Sequence, residues 1–68
     1  MKYRNKVREI RLRALIATQT ELAKLTGIDR TTISHIENQR FPLSIKHALA
    51  IREALGCSLD DLYEKVPE

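Results

Sequence analysis

Residues 18–38 (TQTELAKLTGIDRTTISHIEN) carry start and stop signals for two short helices joined by a tight turn. Thr18 can cap the first helix, and Glu21, three residues later, completes the T-x-x-E pattern of a capping box. Gly27 adopts a positive φ without steric cost, so the chain can turn there. Asp29 is a good N-cap for the second helix. This segment therefore predicts two consecutive helices, around which the remaining chain must pack.

The second of these helices has one apolar and one polar face. Ile33 and Ile36 are three residues apart and share a side of the helix. Ile28 precedes the cap and is placed to form a hydrophobic staple with Ile33. At about 100° per residue, hydrogen-bonding side chains lie opposite or flanking the isoleucines: Thr31, Ser34, Asn38, Arg30 and His35. We expect the isoleucines in the core and the polar row in solvent.

Five residues at family-typical spacing resemble the helix-turn-helix of the lambda-repressor and Cro type, also called the Xre family: Gln19, Ala23, Gly27, Ile33 and Glu37. The resemblance covers most of the chain, from about Val7 to Tyr63. It implies that Ala23 is small where the two helices cross, that Gly27 lies at the turn, and that Ile33 fills the core.

The resemblance also implies a function, sequence-specific binding of double-stranded DNA by a transcriptional regulator, with the second motif helix in the major groove. The implied base-reading residues are Arg30, Thr31, Ser34 and His35. The implied phosphate-contacting residues are Gln19, Asn38 and Arg40. Arginine paired with guanine O6 and N7 is the commonest specific contact, so Arg30 is the strongest candidate for base recognition.

Three further expectations follow from comparing this chain with the family pattern. Family members often pair an arginine of the first helix with the glutamate of the recognition helix, here Arg11 with Glu37; the alternative is two ordinary surface charges. Residues 15–17 contain one residue more than family members usually have, so the loop should be longer. Where the family often has Gly, this chain has Gln39, and we expect Asn38 to take the left-handed cap.

The flanking segments predict three more helices and therefore an all-α, compact five-helix fold in one domain, residues 1–68. The first helix should run from Tyr3 to Leu15, with an apolar stripe at Tyr3, Val7, Ile10 and Ala14. No segment has a clear strand pattern. A basic amphipathic helix on a membrane surface is the alternative for the first segment, but its apolar stripe fits a core better.

The second half of the chain predicts a connector and two helices. Phe41 should be buried as the anchor of the connector. Ser44 should cap a helix from Ile45 to Leu55 that ends at Gly56. Its core-facing stripe should contain Ile45, Ala48, Leu49 and Arg52, and Ile51 and Leu55 should widen it. Ser58 and Asp61 have the spacing of a second capping box. They should start a last helix, and residues 64–68 should be frayed.

Charge and composition agree with a nucleic-acid partner. The net charge is +3, and residues 1–13 hold six Lys or Arg against Glu9 alone, whereas the C-terminal third is acidic. A basic face favours a polyanion, although a solvated helix face is the alternative. No apolar run approaches the roughly 18 residues of a membrane span, no signal peptide is evident, and Cys57 is the single cysteine. These features favour a cytoplasmic protein, and the resemblance implies a prokaryotic or phage-type setting.

Catalysis has little support in the sequence. His35 and His47 lie on different predicted helices, and no Cys/His cluster has metal-ligand spacing, so neither an enzyme, a metal nor a cofactor is expected. Cys57 precedes a predicted helix start, which could lower its pKa, but a small hydrophobic residue is the better interpretation. No small-molecule ligand is evident.

The resemblance implies a homodimer, at least on DNA, bound to a palindromic operator whose half-sites lie about one helical turn apart. The candidate dimer residues are the apolar side chains of the last predicted helix: Leu59, Leu62, Tyr63 and Val66. For Leu59 and Leu62, completing the core of one chain is the better interpretation. The alternative function is a protein-interaction module, such as an antitoxin or adaptor, that uses the same fold.

Overall fold

The computed structural model describes residues 2–67, and the side chain of Lys2 lies outside that description. Four α-helices, a two-stranded antiparallel sheet and a short 3-10 helix occur within these residues. In chain order they are β1 (Lys2–Asn5), α1 (Val7–Arg13), α2 (Gln19–Thr26), α3 (Arg30–Glu37), α4 (Ile45–Leu55), the 3-10 helix (Asp60–Leu62) and β2 (Tyr63–Val66). The expectation of five helices and no strand is therefore wrong, whereas the helical core of the predicted fold is present.

The core lies where α2 packs against α3 and α4, and where α1 closes it from the side. Its buried apolar residues come from every helix and from the connectors: Val7, Ile10, Leu22, Ile28, Ile33, Ile36, Leu43, Ala48, Ile51 and Leu62. Seven of them have less than 2% of their surface exposed. Aliphatic side chains of this size interdigitate well between short helices, which agrees with a composition that is poor in aromatic residues.

The first predicted helix is wrong over its N-terminal part, because residues 2–5 form strand β1. This strand pairs with β2 in a register that places Asn5 opposite Tyr63 and Arg4 opposite Glu64. The buried Asn5 side chain donates to the carbonyl oxygen of Ile36 at 2.8 Å and accepts from the Val7 N–H at 3.2 Å. Tyr3, expected on the apolar stripe, is 61% exposed. Pairing with a strand some sixty residues away has overridden the local helical period.

The last predicted helix is also wrong, although its start signal is real. Ser58 and Asp61 form both hydrogen bonds of a capping box, from the Ser58 N–H to Asp61 Oδ2 and from the Asp61 N–H to Ser58 Oγ. Only the three-residue 3-10 helix follows, because the chain then extends as β2 against β1. Residues 64–66 are consequently part of a strand and not frayed; Glu68 lies outside the described residues.

Two helices end with a left-handed residue that is not glycine. Leu15 has φ 64° and Gln39 has φ 62°. At each end, two backbone bonds have the Schellman pattern, from Leu15 and Ile16 to α1 and from Gln39 and Arg40 to α3. The chain thus accommodates the extra residue of the first loop by the left-handed turn at Leu15, whose side chain is 89% exposed.

The expectation that Asn38 takes the left-handed cap is wrong, because Asn38 has φ −87° and Gln39 occupies that position. The side chain of Gln39 explains why. Its Oε1 accepts from the Asn5 N–H at 3.2 Å, and its Nε2 donates to the Asn5 carbonyl at 3.0 Å. The amide therefore pairs with the backbone of β1 as a neighbouring strand would, which offsets the strain of a positive φ.

The connector and α4 pack differently from the sequence expectation. Phe41 is 49% exposed, and Leu43, 8% exposed, anchors the connector instead. Helix α4 begins and ends as predicted, with Ser44 Oγ accepting from the His47 N–H and Gly56 in the left-handed region. Its buried side is formed by Ala48 and Ile51, which both belong to the predicted stripe, whereas Ile45 and Leu49 are exposed. The helix is therefore rotated towards the Ile51 side of that stripe.

Candidate nucleic-acid interface

Helix α3 presents the polar row that the sequence predicted. Arg30 and Thr31 are exposed in its first turn, and Ser34 and His35 are partly exposed one turn later. Asp29 caps this helix, because its Oδ2 accepts from the Thr31 N–H at 2.9 Å. The four proposed base-reading side chains therefore share the outward side of one helix, and the cap explains a carboxylate beside them.

The inward side of α3 is packed into the core. Ile33 and Ile36 are 0% and 1% exposed, and Ile28, the predicted staple residue, is also buried in the same core cluster. Gly27, at φ 74°, ends α2 and turns the chain towards α3, as expected. Thr18 Oγ1 accepts from the Glu21 N–H at 3.1 Å, which is one of the two bonds of the predicted capping box. Ala23 packs against the core from α2.

A buried ion pair ties α1 to α3, as the family comparison implied. Arg11 Nε lies 2.8 Å from Glu37 Oε2, and its Nη2 lies 3.2 Å from Oε1. The two side chains are 7% and 0% exposed. Arg11 also donates to the carbonyl oxygen of Ile16 at 2.9 Å. This bidentate geometry is the strongest form of an arginine–carboxylate contact, and it fixes the angle at which α3 leaves the core.

The electrostatics of Glu37 follow from its neighbours. Burial by itself raises the pKa of this carboxyl, but hydrogen bonds from Arg11 and Gln19 and the charge of Arg11 outweigh burial and lower the pKa. Gln19 Nε2 donates to Glu37 Oε1 at 3.0 Å. Gln19, predicted to contact phosphate, is therefore held at the start of α2 by the same carboxylate that orients α3.

The other predicted phosphate residues lie beyond the end of α3. Asn38 is exposed, and its Nδ2 lies 3.4 Å from Ser34 Oγ. Arg40 is exposed, and its guanidinium forms no ion pair with any carboxylate in the described residues. Phe41 contacts the His35 ring, with the ring centroids 4.7 Å apart and the planes tilted by 42°. This contact restricts the orientation of His35, a role for Phe41 that the sequence analysis missed.

Arg8 is a second residue that the sequence analysis did not single out. Its Nη2 donates to Asn38 Oδ1 at 3.1 Å, and its Nε lies 3.5 Å from Glu37 Oε1. Arg8 and Arg11 are three residues apart and therefore share a side of α1. That spacing was the signal that could have identified Arg8 beside Glu37.

The candidate dimer residues differ in how much of each side chain is exposed to a partner. Leu62 is 0% exposed and belongs to the core of this chain, so it is unavailable to a partner, and Leu59 packs partly against the same core. Tyr63 is partly buried, and its hydroxyl donates to the Leu43 carbonyl at 2.9 Å. Val66 is partly exposed in β2.

Cys57 is poorly suited to nucleophilic chemistry. Burial raises the pKa of its thiol, and the negative charge of Asp61 raises it further. The thiolate, which is the reactive form, is thus disfavoured.

Among the described residues, no group of three or more His, Cys, Asp or Glu side chains is arranged to hold a metal ion. None of the helices in residues 2–67 is long and apolar enough to cross a membrane.

Comparison with known proteins identifies the family. No curated protein matches this chain at a significant level. A family model described as "Helix-turn-helix", of the Cro/C1 type, matches residues 7–62, which include all four helices and the 3-10 helix. Domains of this family bind DNA and regulate transcription. This match covers most of the chain and agrees with the polar outward side of α3, and it establishes that the chain belongs to the Cro/C1-type helix-turn-helix family of DNA-binding regulators.

Proposed function

We propose that this protein is a sequence-specific transcriptional repressor or autoregulator that inserts α3 into the major groove of an operator. The observation that carries the proposal is the outward side of α3. Its exposed side chains are hydrogen-bonding or cationic, while Ile33, Ile36 and Glu37 fix the opposite side to the core. A surface helix that is polar on its outer side and packed into the core on its inner side is suited to reading base edges, which needs donors held in a fixed register.

The proposed base contacts follow from the chemistry of the side chains. Arg30 can donate two hydrogen bonds to guanine O6 and N7, and Thr31 can bond to a base or contact a thymine methyl group. Ser34 and His35 would reach bases one turn further along α3. Asp29 is near these residues, and its carboxylate can accept from a cytosine N4 while it caps the helix.

The proposed phosphate contacts surround this helix. Gln19 begins α2, Asn38 follows α3, and Arg40 extends from the connector. Contacts of this kind determine register and contribute affinity for any sequence. Arg40 supports the assignment best, since its exposed guanidinium is not compensated by a carboxylate of the described residues.

We further propose that two copies occupy a palindromic operator in the cytoplasm, with half-sites separated by one helical turn, roughly 34–36 Å. One α3 helix is only eight residues long and can read about half of such a site. Tyr63 and Val66 remain candidates for the contact between copies, together with the accessible part of Leu59, whereas Leu62 is excluded by its burial.

The deciding experiment selects binding sites from a random duplex library at two salt concentrations. We expect a palindromic consensus that survives the higher salt. The spacing of its half-sites would report the dimer directly. Retained DNA without a consensus, lost as salt rises, would mean that binding rests on counterion release alone and would contradict the proposal.

Two arginine substitutions on the selected operator separate base reading from phosphate contact. Arg30→Ala should cost roughly 1–3 kcal/mol of binding free energy and relax the preference at one base pair. Arg40→Ala should weaken binding to all sequences alike and reduce the slope of log K against log salt. Equal losses for both variants on random DNA would show that Arg30 contacts phosphate only.

A protein-interaction module is the second candidate function. It is favoured by two large apolar side chains one turn apart on the outer side of α4, Ile45 at 63% and Leu49 at 48% exposed. Isolated exposed apolar residues are common, so this observation is weaker than the polar side of α3. A chain that fails to enrich any consensus, yet loses a protein partner in the Leu49→Lys variant, would support this alternative.

A further inference from the structure

Three helices bring polar side chains together around one carboxylate. Glu37 of α3 accepts hydrogen bonds from Arg11 of α1 and from Gln19 of α2. Arg8 approaches the same carboxylate from the solvent side and bonds to Asn38. Gln19 and Asn38, which are far apart in the sequence, are thereby brought to one place on the surface. Arg8 links them, because it contacts both Asn38 and the carboxylate that accepts from Gln19.

The charges of this cluster do not cancel. Arg11 is buried with Glu37 in a bidentate pair, so the carboxylate is already neutralised inside the protein. Arg8 is 49% exposed, and its contact with Glu37 is longer, at 3.5 Å. Two arginines and one carboxylate leave one net positive charge, and the exposed guanidinium of Arg8 is where solvent or a ligand meets it.

The geometry also provides hydrogen-bond donors directed by their neighbours. A guanidinium has five N–H donors, and the contacts of Arg8 with Glu37 and Asn38 engage only part of them. The side-chain amides of Gln19 and Asn38 each have two N–H donors, of which Glu37 and Ser34 accept one each. Donors that surround a surplus positive charge suit a phosphate group, which offers several acceptor oxygens and a negative charge.

From this arrangement we infer that Arg8, Gln19 and Asn38 form a single binding site for one backbone phosphate of DNA, with Arg8 as its cation. The inference rests on the proposed DNA-binding function and extends it to α1, which lies outside the two-helix motif. Glu37 is the organising residue of the site: it orients Gln19 and Arg8 while Arg11 removes its negative charge from the surface. The alternative is that Arg8 is a solvated partner of Glu37 that contacts no DNA.

The experiment compares the salt dependence of binding to the selected operator for four proteins: the unaltered chain, Arg8→Gln, Arg8→Lys and Arg13→Gln. Arg13 is a matched control, since it is an exposed arginine of α1 and lies near Asp61 on another side of the helix. Its substitution changes the net charge by the same amount. Thermal melting first establishes that the variants are folded. We expect this because Arg8 is half-exposed, its contact with Glu37 is long, and Arg11 still neutralises the carboxylate.

Each phosphate contact contributes about 0.9 to the slope of log K against log salt. Arg8→Gln should therefore lower the slope by about one. Its affinity deficit relative to the unaltered chain should shrink about 3.5-fold when salt rises from about 50 to about 200 mM. Arg8→Lys, which keeps the charge, should retain the slope, and so should Arg13→Gln.

Equal slopes for Arg8→Gln and Arg13→Gln, with the unaltered chain bound to the operator, would overturn the inference and leave the proposed function intact. Failure of the unaltered chain to bind any duplex at the lower salt would overturn both. A slope lowered equally in Arg8→Gln and Arg8→Lys would also contradict the assignment of Arg8 as the cation of this site.

Discussion

Removal of the Glu37 carboxylate tests how α3 is held. In the Glu37→Ala variant, the guanidinium of Arg11 would remain buried, since its side chain is 7% exposed, and would keep only its hydrogen bond to the Ile16 carbonyl. Removing one partner of a buried ion pair costs about 3–5 kcal/mol, because a charge is left without compensation. Gln19 would also lose the acceptor that orients it.

A loss of that size is large for a chain of this length. A domain of 68 residues has a free energy of unfolding of roughly 3–10 kcal/mol. Because each kcal/mol shifts the melting temperature of such a small domain by about 4–8 °C, the variant should melt at least about 12 °C lower. Circular dichroism during thermal and urea denaturation measures both quantities.

Two control variants distinguish the buried charge from other effects. Glu53→Ala removes an exposed carboxylate of α4 and should change the free energy of unfolding by no more than about 0.5 kcal/mol. The double variant Arg11→Met with Glu37→Leu removes both charges and should recover most of the stability lost in Glu37→Ala. Equal destabilisation of Glu37→Ala and the double variant would refute the argument that an uncompensated guanidinium causes the loss.

Two further predictions concern acid and the turn between α2 and α3. The pKa of Glu37 is lowered in the folded protein, so its contribution is present above the ordinary carboxyl value of 4.5 and is lost as the pH falls through the folded value. Urea denaturation from about pH 7 to about pH 3 should therefore show the stability difference between the unaltered chain and Glu37→Gln shrinking with acid; a constant difference would contradict this linkage. Gly27→Ala should cost about 1–2 kcal/mol, because φ is 74° while nothing lies within 4 Å of the added Cβ. Gly27→Asn should cost less, since Asn tolerates the left-handed region, and similar melting temperatures for Gly27→Ala and the unaltered chain would contradict a cost from backbone strain.

The sequence predicted the ends of α2, α3 and α4 well, because the hydrogen bonds and backbone conformations that define these ends involve residues close together in the chain. Thr18, Asp29 and Ser44 cap their helices with side-chain hydrogen bonds that reach only two or three residues. Gly27 and Gly56 end helices in the left-handed conformation that glycine adopts most easily. The buried and exposed sides of α3 also follow the helical period, because this short helix packs against the core on one side only.

The left-handed residues at Leu15 and Gln39 had no such signal. Neither is a residue that favours a positive φ, and at Gln39 the compensation comes from β1, whose Asn5 backbone lies 34 positions away in the sequence. The expected burial of Phe41 was wrong for a related reason. The connector places Leu43 in the core and Phe41 against His35, and hydrophobicity alone does not distinguish those positions.

The sequence by itself located α2, α3 and α4, placed α1 inside a longer predicted helix, and determined the turn between α2 and α3 and the polar row on α3. The pairing of Arg11 with Glu37 came from the family resemblance. The tertiary structure decided what the two ends of the chain become. Residues 2–5 and 63–66 form a sheet only because the helical core holds them side by side. The same packing gathers Arg8, Gln19 and Asn38 around Glu37. Hydrogen bonds between distant segments depend on the relative placement of helices, and no local pattern of residues encodes that placement.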